Sequence, residues 1–258
     1  MGKKNVYFLF EDPEKFKKIS TFLNSFYLIQ QEPLLFSLDG LKTKDLYTQI
    51  DQRFEQFKFD FLLVQHAGGT EMFDAQKRRI KIDFDADKMN YARKVIAKDP
   101  FLRAIGRERR HVLDVSTGLA IDSVFLAQHG HEVTAIERNP LLYTLLEEAS
   151  LRSEKLKRLK IQFKFGEAIP MACAEKYDCI YFDPMFPDKT KSALPKQEMV
   201  LFRQLVGGDV DAADVLEKLR QCGTRVVVKR PAYAEPIGFK PTNAFESKLI
   251  RFDIYEGK

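Results

Sequence analysis

Beyond about residue 86 the chain alternates short apolar runs with helix-forming stretches, and that alternation restricts it to a small set of folds. His111–Val115 is a compact strand, and Ile121–Gln128 follows as a helix closed near Gly130. Glu132–Ile136 is a second strand, after which Asn139-Pro140 supplies an N-cap and a first helical residue. Ile161–Phe165, Cys179–Phe182 and Thr224–Val228 read as three more strands, the last preceded by a helix over Ala212–Arg220. Ser247–Tyr255 reads as one or two further strands. The expected fold class is α/β, with a mostly parallel central sheet and helices on both faces over residues 86–258. In such sheets ligands settle beyond the carboxyl ends of the strands, where strand order reverses.

Residues 1–85 have a different texture and are expected to form a small N-terminal α+β subdomain. Val6–Phe10, Phe26–Ile29 and Phe59–Val64 read as strands, and Gly68-Gly69 as a turn. Glu14–Leu23 reads as an amphipathic helix with Phe16, Ile19 and Leu23 on one face. The first 60 residues carry no chemistry that can be named.

Hydrophobic residues make up 45% of the 258 and charged residues 31%, a balance that can bury a core. The net charge of +5 permits attraction to a polyanion without establishing it. Three cysteines, Cys173, Cys179 and Cys222, form no C-x-x-C pair, which argues against a disulfide framework and against structural zinc. The four histidines also lack metal-ligand spacing, so no metal and a cytoplasmic location are expected. Val6–Phe10 is too short for a secretory core, and Val6 stands where a myristoylation site needs Ser or Thr. No apolar run approaches the about 20 residues of a membrane span.

Polar residues gather at the expected strand ends: Asp114, Ser116 and Thr117; Glu137; Gly166 and Glu167; Asp183. The turn D-V-S-T-G-L-A-I-D, Asp114 to Asp122, carries a single glycine, Gly118. A dinucleotide pyrophosphate wants G-x-G-x-x-G for close backbone approach, so a nicotinamide-dependent oxidoreductase is disfavoured. S-adenosyl-L-methionine has no phosphates and needs fewer glycines. Glu137 can accept hydrogen bonds from two ribose hydroxyls; its bland alternative is a solvated pair with Arg138. Glu167 can receive an adenine amino group, or simply start a helix favourably.

Asp183-Pro184-Met185-Phe186-Pro187 is the most informative stretch. Two prolines make a rigid turn with few backbone donors, leaving a carboxylate and carbonyl oxygens as acceptors. An exocyclic amine with two hydrogens suits the Asp183 carboxylate and the Pro184 carbonyl, and Phe186 can stack on the base.

Together, D-V-S-T-G-L-A-I-D, I-E-R-N-P at Ile136–Pro140 and Y-F-D-P-M-F-P at Tyr181–Pro187 resemble the RsmJ-type 16S rRNA (guanine-N2) methyltransferases. K-S-A-L at Lys191–Leu194, V-V-V-K-R-P at Val226–Pro231 and R-F-D-I-Y at Arg251–Tyr255 extend the resemblance, which is dense from about Ile82 onward and faint before residue 60. It implies a Rossmann-like class I methyltransferase fold, S-adenosyl-L-methionine as cofactor, and small-subunit rRNA or the 30S particle as partner. It places cofactor contacts at Ile121, Asp122, Glu137, Arg138, Glu167, Ala168 and Asp183, beside Asp114, Thr117 and Gly118 of the turn. Ala120 and Ile121 stand where the family usually has Gly and Arg, and Glu167 and Ala168 where it has serines. Ile121 is therefore expected to offer backbone contacts only.

Lys189, Lys191, Lys196, Arg203, Lys229 and Arg230 surround the motif as candidate RNA-phosphate contacts, with Arg93 and the run Arg107–Arg110 as further ones. The N-terminal subdomain is a candidate RNA contact as well. Two readings remain beside the guanine-N2 one: an amino-methyltransferase acting on adenine or cytosine of DNA or another RNA, and a non-catalytic RNA-binding relative retaining the fold.

Overall fold

A computed structural model describes residues 3–33, 43–66, 68–86, 89, 98–108, 110–185, 197–208, 211–222 and 224–257. The chain divides into two compact units. One comprises Met1–Asp83, Thr144–Arg152 and Ala193–Leu205; the other comprises Phe84–Tyr143, Ser153–Ser192 and Val206–Lys258.

The first unit is built on a five-stranded sheet of order β2-β1-β3-β4-β5. Its strands are β1 (Asn5–Phe10), β2 (Leu28–Pro33), β3 (Phe61–His66), β4 (Gly69–Asp74) and β5 (Arg79–Lys81). β2, β1 and β3 run parallel, and β4 and β5 return antiparallel. Helix α1 (Pro13–Leu23) is capped by Asp12, whose side chain accepts from the amides of Glu14 and Lys15. Phe26–Ile29 is not a strand from its first residue: Phe26 and Tyr27 donate to the Leu23 carbonyl and close α1, so β2 starts only at Leu28. α2 (Thr43–Gln56) contributes Ile50 to a core with Tyr7, Leu9, Leu62, Val64 and Phe73.

The second unit holds a seven-stranded sheet of order β11-β12-β10-β9-β6-β7-β8. β6 (His111–Asp114), β7 (Glu132–Glu137), β8 (Ile161–Phe165), β9 (Cys179–Phe182) and β10 (Arg225–Pro231) are parallel, while β12 (Ile250–Tyr255) and β11 (Asn243–Glu246) form an antiparallel hairpin at one edge. Period-two alternation divides the strand side chains between two cores. Val112, Cys179, Tyr181 and Val227 join α3 (Pro100–Ile105) and α4 (Ile121–Gln128) on one face. Leu113, Ile180, Phe182, Val226 and Val228 join α6 (Ala168–Ala174) and α8 (Ala212–Gln221) on the other. Helices thus cover both faces. In sequence α5 (Pro140–Arg152) follows β7 and α7 (Gln197–Val206) falls between β9 and α8, and most of each belongs to the first unit. Strand order reverses at β6: β7 and β8 extend one way, β9 and β10 the other.

Cys173 and Cys222 are joined in a disulfide, with Cα atoms 5.1 Å apart, a pairing against which the cysteine spacing had argued. The two lie 49 residues apart in sequence, and packing of α6 on α8 brings them together, so no local spacing announces the pair. Cys179 is free and buried. Among the described residues no group of three His, Cys, Asp or Glu can hold a metal, and no helix is long and apolar enough to cross a membrane.

Candidate active site

The tips of β6, β7, β8 and β9 come together at the reversal point, as a doubly wound sheet requires. Glu137 ends β7 and is 5% exposed. Its Oε2 accepts from the Gly118 amide at 3.0 Å and its Oε1 from the Asn139 amide at 2.7 Å. Gly118 reaches it because its φ of 54° turns the chain back, a conformation that favours glycine. Ala120 adopts the same left-handed region at φ 58° and starts α4 without a side-chain cap. Gly166, beyond β8, donates to the Glu137 carbonyl at 3.2 Å and so lays the following Glu167 and Ala168 beside the β7 tip. Glu167 is exposed and is the N-cap of α6 without a capping bond, and Arg138 is exposed.

On the other side of the reversal, Ser116 links two tips. The Asp114 carboxylate accepts from the Ser116 amide at 2.9 Å, and Ser116 Oγ accepts from the Asp183 amide at 2.7 Å. Asp114 also accepts from Ser123 Oγ and is almost wholly buried. Burial pushes the carboxyls of Asp114 and Glu137 up to about 7, against the hydrogen bonds that favour their ionised forms.

Lys229, on β10, spans two further carboxylates. Its Nζ donates to Asp122 at 2.7 Å and to Asp183 at 2.9 Å, and the Tyr181 hydroxyl donates to the same Asp122 oxygen at 2.6 Å. Burial alone would favour the neutral amine, yet Asp183 and Asp122 more than offset it and hold Lys229 well above the ordinary lysine range. Lys229, expected on RNA phosphates, thus faces two carboxylates in the fold. Its neighbour Arg230 is half-buried and donates to the Glu235 carbonyl.

Phe186, Lys189, Lys191, Lys196 and Arg93 lie outside the described residues. Pro184 is buried. Arg107 and Arg110, with Arg103, Glu108 and Phe245, line a cavity of about 440 Å³. Arg110 immediately precedes β6, so this cavity lies towards the amino ends of the parallel strands, opposite the tips. Arg203 lies on α7, in the other unit. Sequence reading missed Ser123 and Tyr181 as partners of the acidic residues; the i, i+2 alternation of β9 was the only available hint for Tyr181.

The residues present fit S-adenosylmethionine. Thr117 Oγ1 is buried with no hydrogen-bond partner among the described residues, an orphan that a bound polar group would satisfy. Ile121 is 47% exposed at the start of α4. Each oxygen of Glu137 holds one backbone bond, and a carboxylate has roughly four acceptor positions, which leaves room for ribose hydroxyls.

Known proteins resemble this chain in sequence and in fold. The SAM-dependent methyltransferase family model matches residues 49–257. The fold is that of a SAM-dependent methyltransferase from Neisseria gonorrhoeae, with a TM-score of 0.65 and 24% identity, covering 98% of this chain and 95% of that one. The protein is therefore a methyltransferase of the Rossmann-like class that uses S-adenosylmethionine. Ribosomal RNA small subunit methyltransferase J of Bdellovibrio bacteriovorus is 42% identical over 213 residues, 78% of this chain and 82% of the relative. The protein of the same name from Thioalkalivibrio sulfidiphilus is 40% identical over 68% of this chain and 75% of its own. The chain belongs to the ribosomal RNA small subunit methyltransferase J family.

Proposed function

We propose that the protein methylates the exocyclic N2 amine of a guanosine in small-subunit (16S) rRNA, as free RNA or in the 30S particle, in the cytoplasm. The observation that carries this reading is the chain of hydrogen bonds joining the tips. Glu137 is tied to Gly118 on one side, and Asp183 is tied through Ser116 to Asp114 on the other, so that the nine-residue turn Asp114–Asp122 joins both tips. The names of the relatives supply the RNA class.

S-adenosylmethionine, when bound, supplies a methyl group already activated on a sulfonium. Glu137 holds the ribose, Glu167 and Ala168 border the adenine, and Thr117, Gly118, Ile121, Asp122 and Arg138 complete the rim. The protein's remaining task is orientation. The Asp183 carboxylate and the Pro184 carbonyl accept the two amine hydrogens, which turns the nitrogen lone pair toward the methyl. Asp183 can do this because its amide is pinned by Ser116 and its carboxylate by Lys229.

Labelled-methyl transfer to 30S particles, free 16S rRNA and DNA, followed by nucleoside mapping, tests the proposal. N2-methylguanosine in the small-subunit RNA is expected. A methylated adenine or cytosine, or methyl transfer only to DNA, would overturn it. Absence of S-adenosylmethionine binding by calorimetry would leave only a non-catalytic RNA-binding role.

A further inference from the structure

Two of the most exposed large hydrophobic side chains, Tyr233 at 61% and Leu249 at 73%, stand at one place in the second unit. Scattered exposed hydrophobics are ordinary, but two at the rim of a site are informative. The Ala232 amide donates to the Leu249 carbonyl at 2.9 Å, and Arg251 Nη1 donates to the Ala232 carbonyl at 3.3 Å, so the turn after β10 and the β11–β12 hairpin tip are stitched together. Ala234 closes that turn by donating to the Pro231 carbonyl at 2.9 Å.

Strand register fixes where this tip lies. Phe182 pairs with Val228 in the parallel β9–β10 ladder, which puts Asp183 level with Lys229. β10 then runs on to Pro231, about 7 Å further at roughly 3.3 Å per residue. Tyr233 and Leu249 therefore overhang the same sheet edge that carries Asp183. Lys248 is exposed on that hairpin tip, and Arg230 lies near the end of β10, three residues before Tyr233. An aromatic ring with cations at the mouth of a crevice suits unpaired RNA, whose bases stack while its phosphates seek positive charge.

We propose that Tyr233, flanked by Leu249, is a stacking platform for the unpaired base next to the methylated guanosine. This rests on the RNA reading above. A guanine that sends its amine to Asp183 must leave the stack, which strips its neighbour of one stacking face. The platform covers that face.

The chain contains no tryptophan, so Tyr233→Trp creates a single reporter. The test uses the full-length protein and a short labelled, unpaired oligoribonucleotide with one guanosine, read by anisotropy. Tyr233→Ala is expected to weaken RNA binding roughly ten-fold, with S-adenosylmethionine affinity and melting temperature unchanged. Tyr233→Trp should bind as well as the parent, and its emission should be quenched with the same apparent Kd. Leu249→Ser should show a smaller loss. Equal RNA binding by parent and Tyr233→Ala, or a tryptophan that RNA does not quench, would overturn the platform. Methyl transfer measured alongside separates the two ideas. Tyr233-dependent binding without transfer sinks the reaction and keeps the platform, whereas transfer with Tyr233-independent binding sinks the platform alone.

Discussion

Replacing Lys229 with methionine keeps the length of the stem and removes the charge that faces Asp122 and Asp183. Two charge-assisted hydrogen bonds are lost, each worth about 1.5–3 kcal/mol. The side chains are not sealed: Lys229 is 24% exposed and the carboxylates 25% and 33%, so water screens part of the gain. Two carboxylates are also left without their shared counter-ion, which works in the other direction. A stability loss of about 2–4 kcal/mol results, to be read from urea unfolding followed by circular dichroism. If the same free energy is missing from the transition state because Asp183 is no longer held, kcat/KM falls roughly 30- to 1,000-fold. Because the two aspartates hold the ammonium far above the ordinary lysine range, the loss should be constant from pH 6 to 9. Lys229→Arg keeps the charge and should recover part of both quantities. The reasoning fails if Lys229→Met unfolds at the parental urea concentration, keeps its kcat, and merely lowers the salt slope of RNA binding by about 1, the signature of a phosphate contact.

Asp183→Ala should cut methyl transfer at least about 100-fold while the circular dichroism spectrum stays native; retained activity would remove Asp183 from the chemistry. Asp114 and Glu137 have folded-state values near 7, well above those of unfolded carboxyls. Between about pH 4 and 7 the native state therefore binds more protons than the unfolded one, and their contribution to stability falls as pH rises through that window. Asp114→Asn should flatten the melting temperature between pH 5 and 8, and an unchanged slope would count against a buried, proton-holding Asp114. At Ala120, glycine would relieve the left-handed backbone by about 1 kcal/mol but surrender a buried methyl of about 0.8 kcal/mol and free the unfolded chain. Ala120→Gly should thus change stability by less than about 1 kcal/mol, whereas Ala120→Val, β-branched at positive φ, should lose clearly more in the same urea assay. The Cys173–Cys222 bond closes a long loop, so a reductant should lower stability by about 2–4 kcal/mol, and Cys173→Ser should no longer respond to it.

Much of the second unit was legible because its strands are continuous apolar runs and its turns carry their own punctuation. β8 and β9 begin and end where their letters say, and Glu137 could be paired with the Gly118 turn because both belong to one local motif. The first unit was less legible for a physical reason. β4 is buried along its whole length yet contains Glu71 and Asp74. These are tolerated inside because Glu71 meets His66, Arg79 and Lys81 and Asp74 meets Arg78, partners contributed by the flanking strand ends and hairpin. In α2 the signal existed but was thin: Tyr47, Ile50 and Phe54 recur at helical spacing among polar neighbours. Lys229 shows the deeper limit. Beside Arg230 it reads as one of a basic pair suited to phosphates, and its acidic partners lie 107 and 46 residues away. A sequence states the sign of each charge but not which charge neutralises it. That choice belongs to strand order, which here sets β10 against β9 and β9 against β6, so a lysine that looks outward in the letters closes the acidic side of the crevice in the fold.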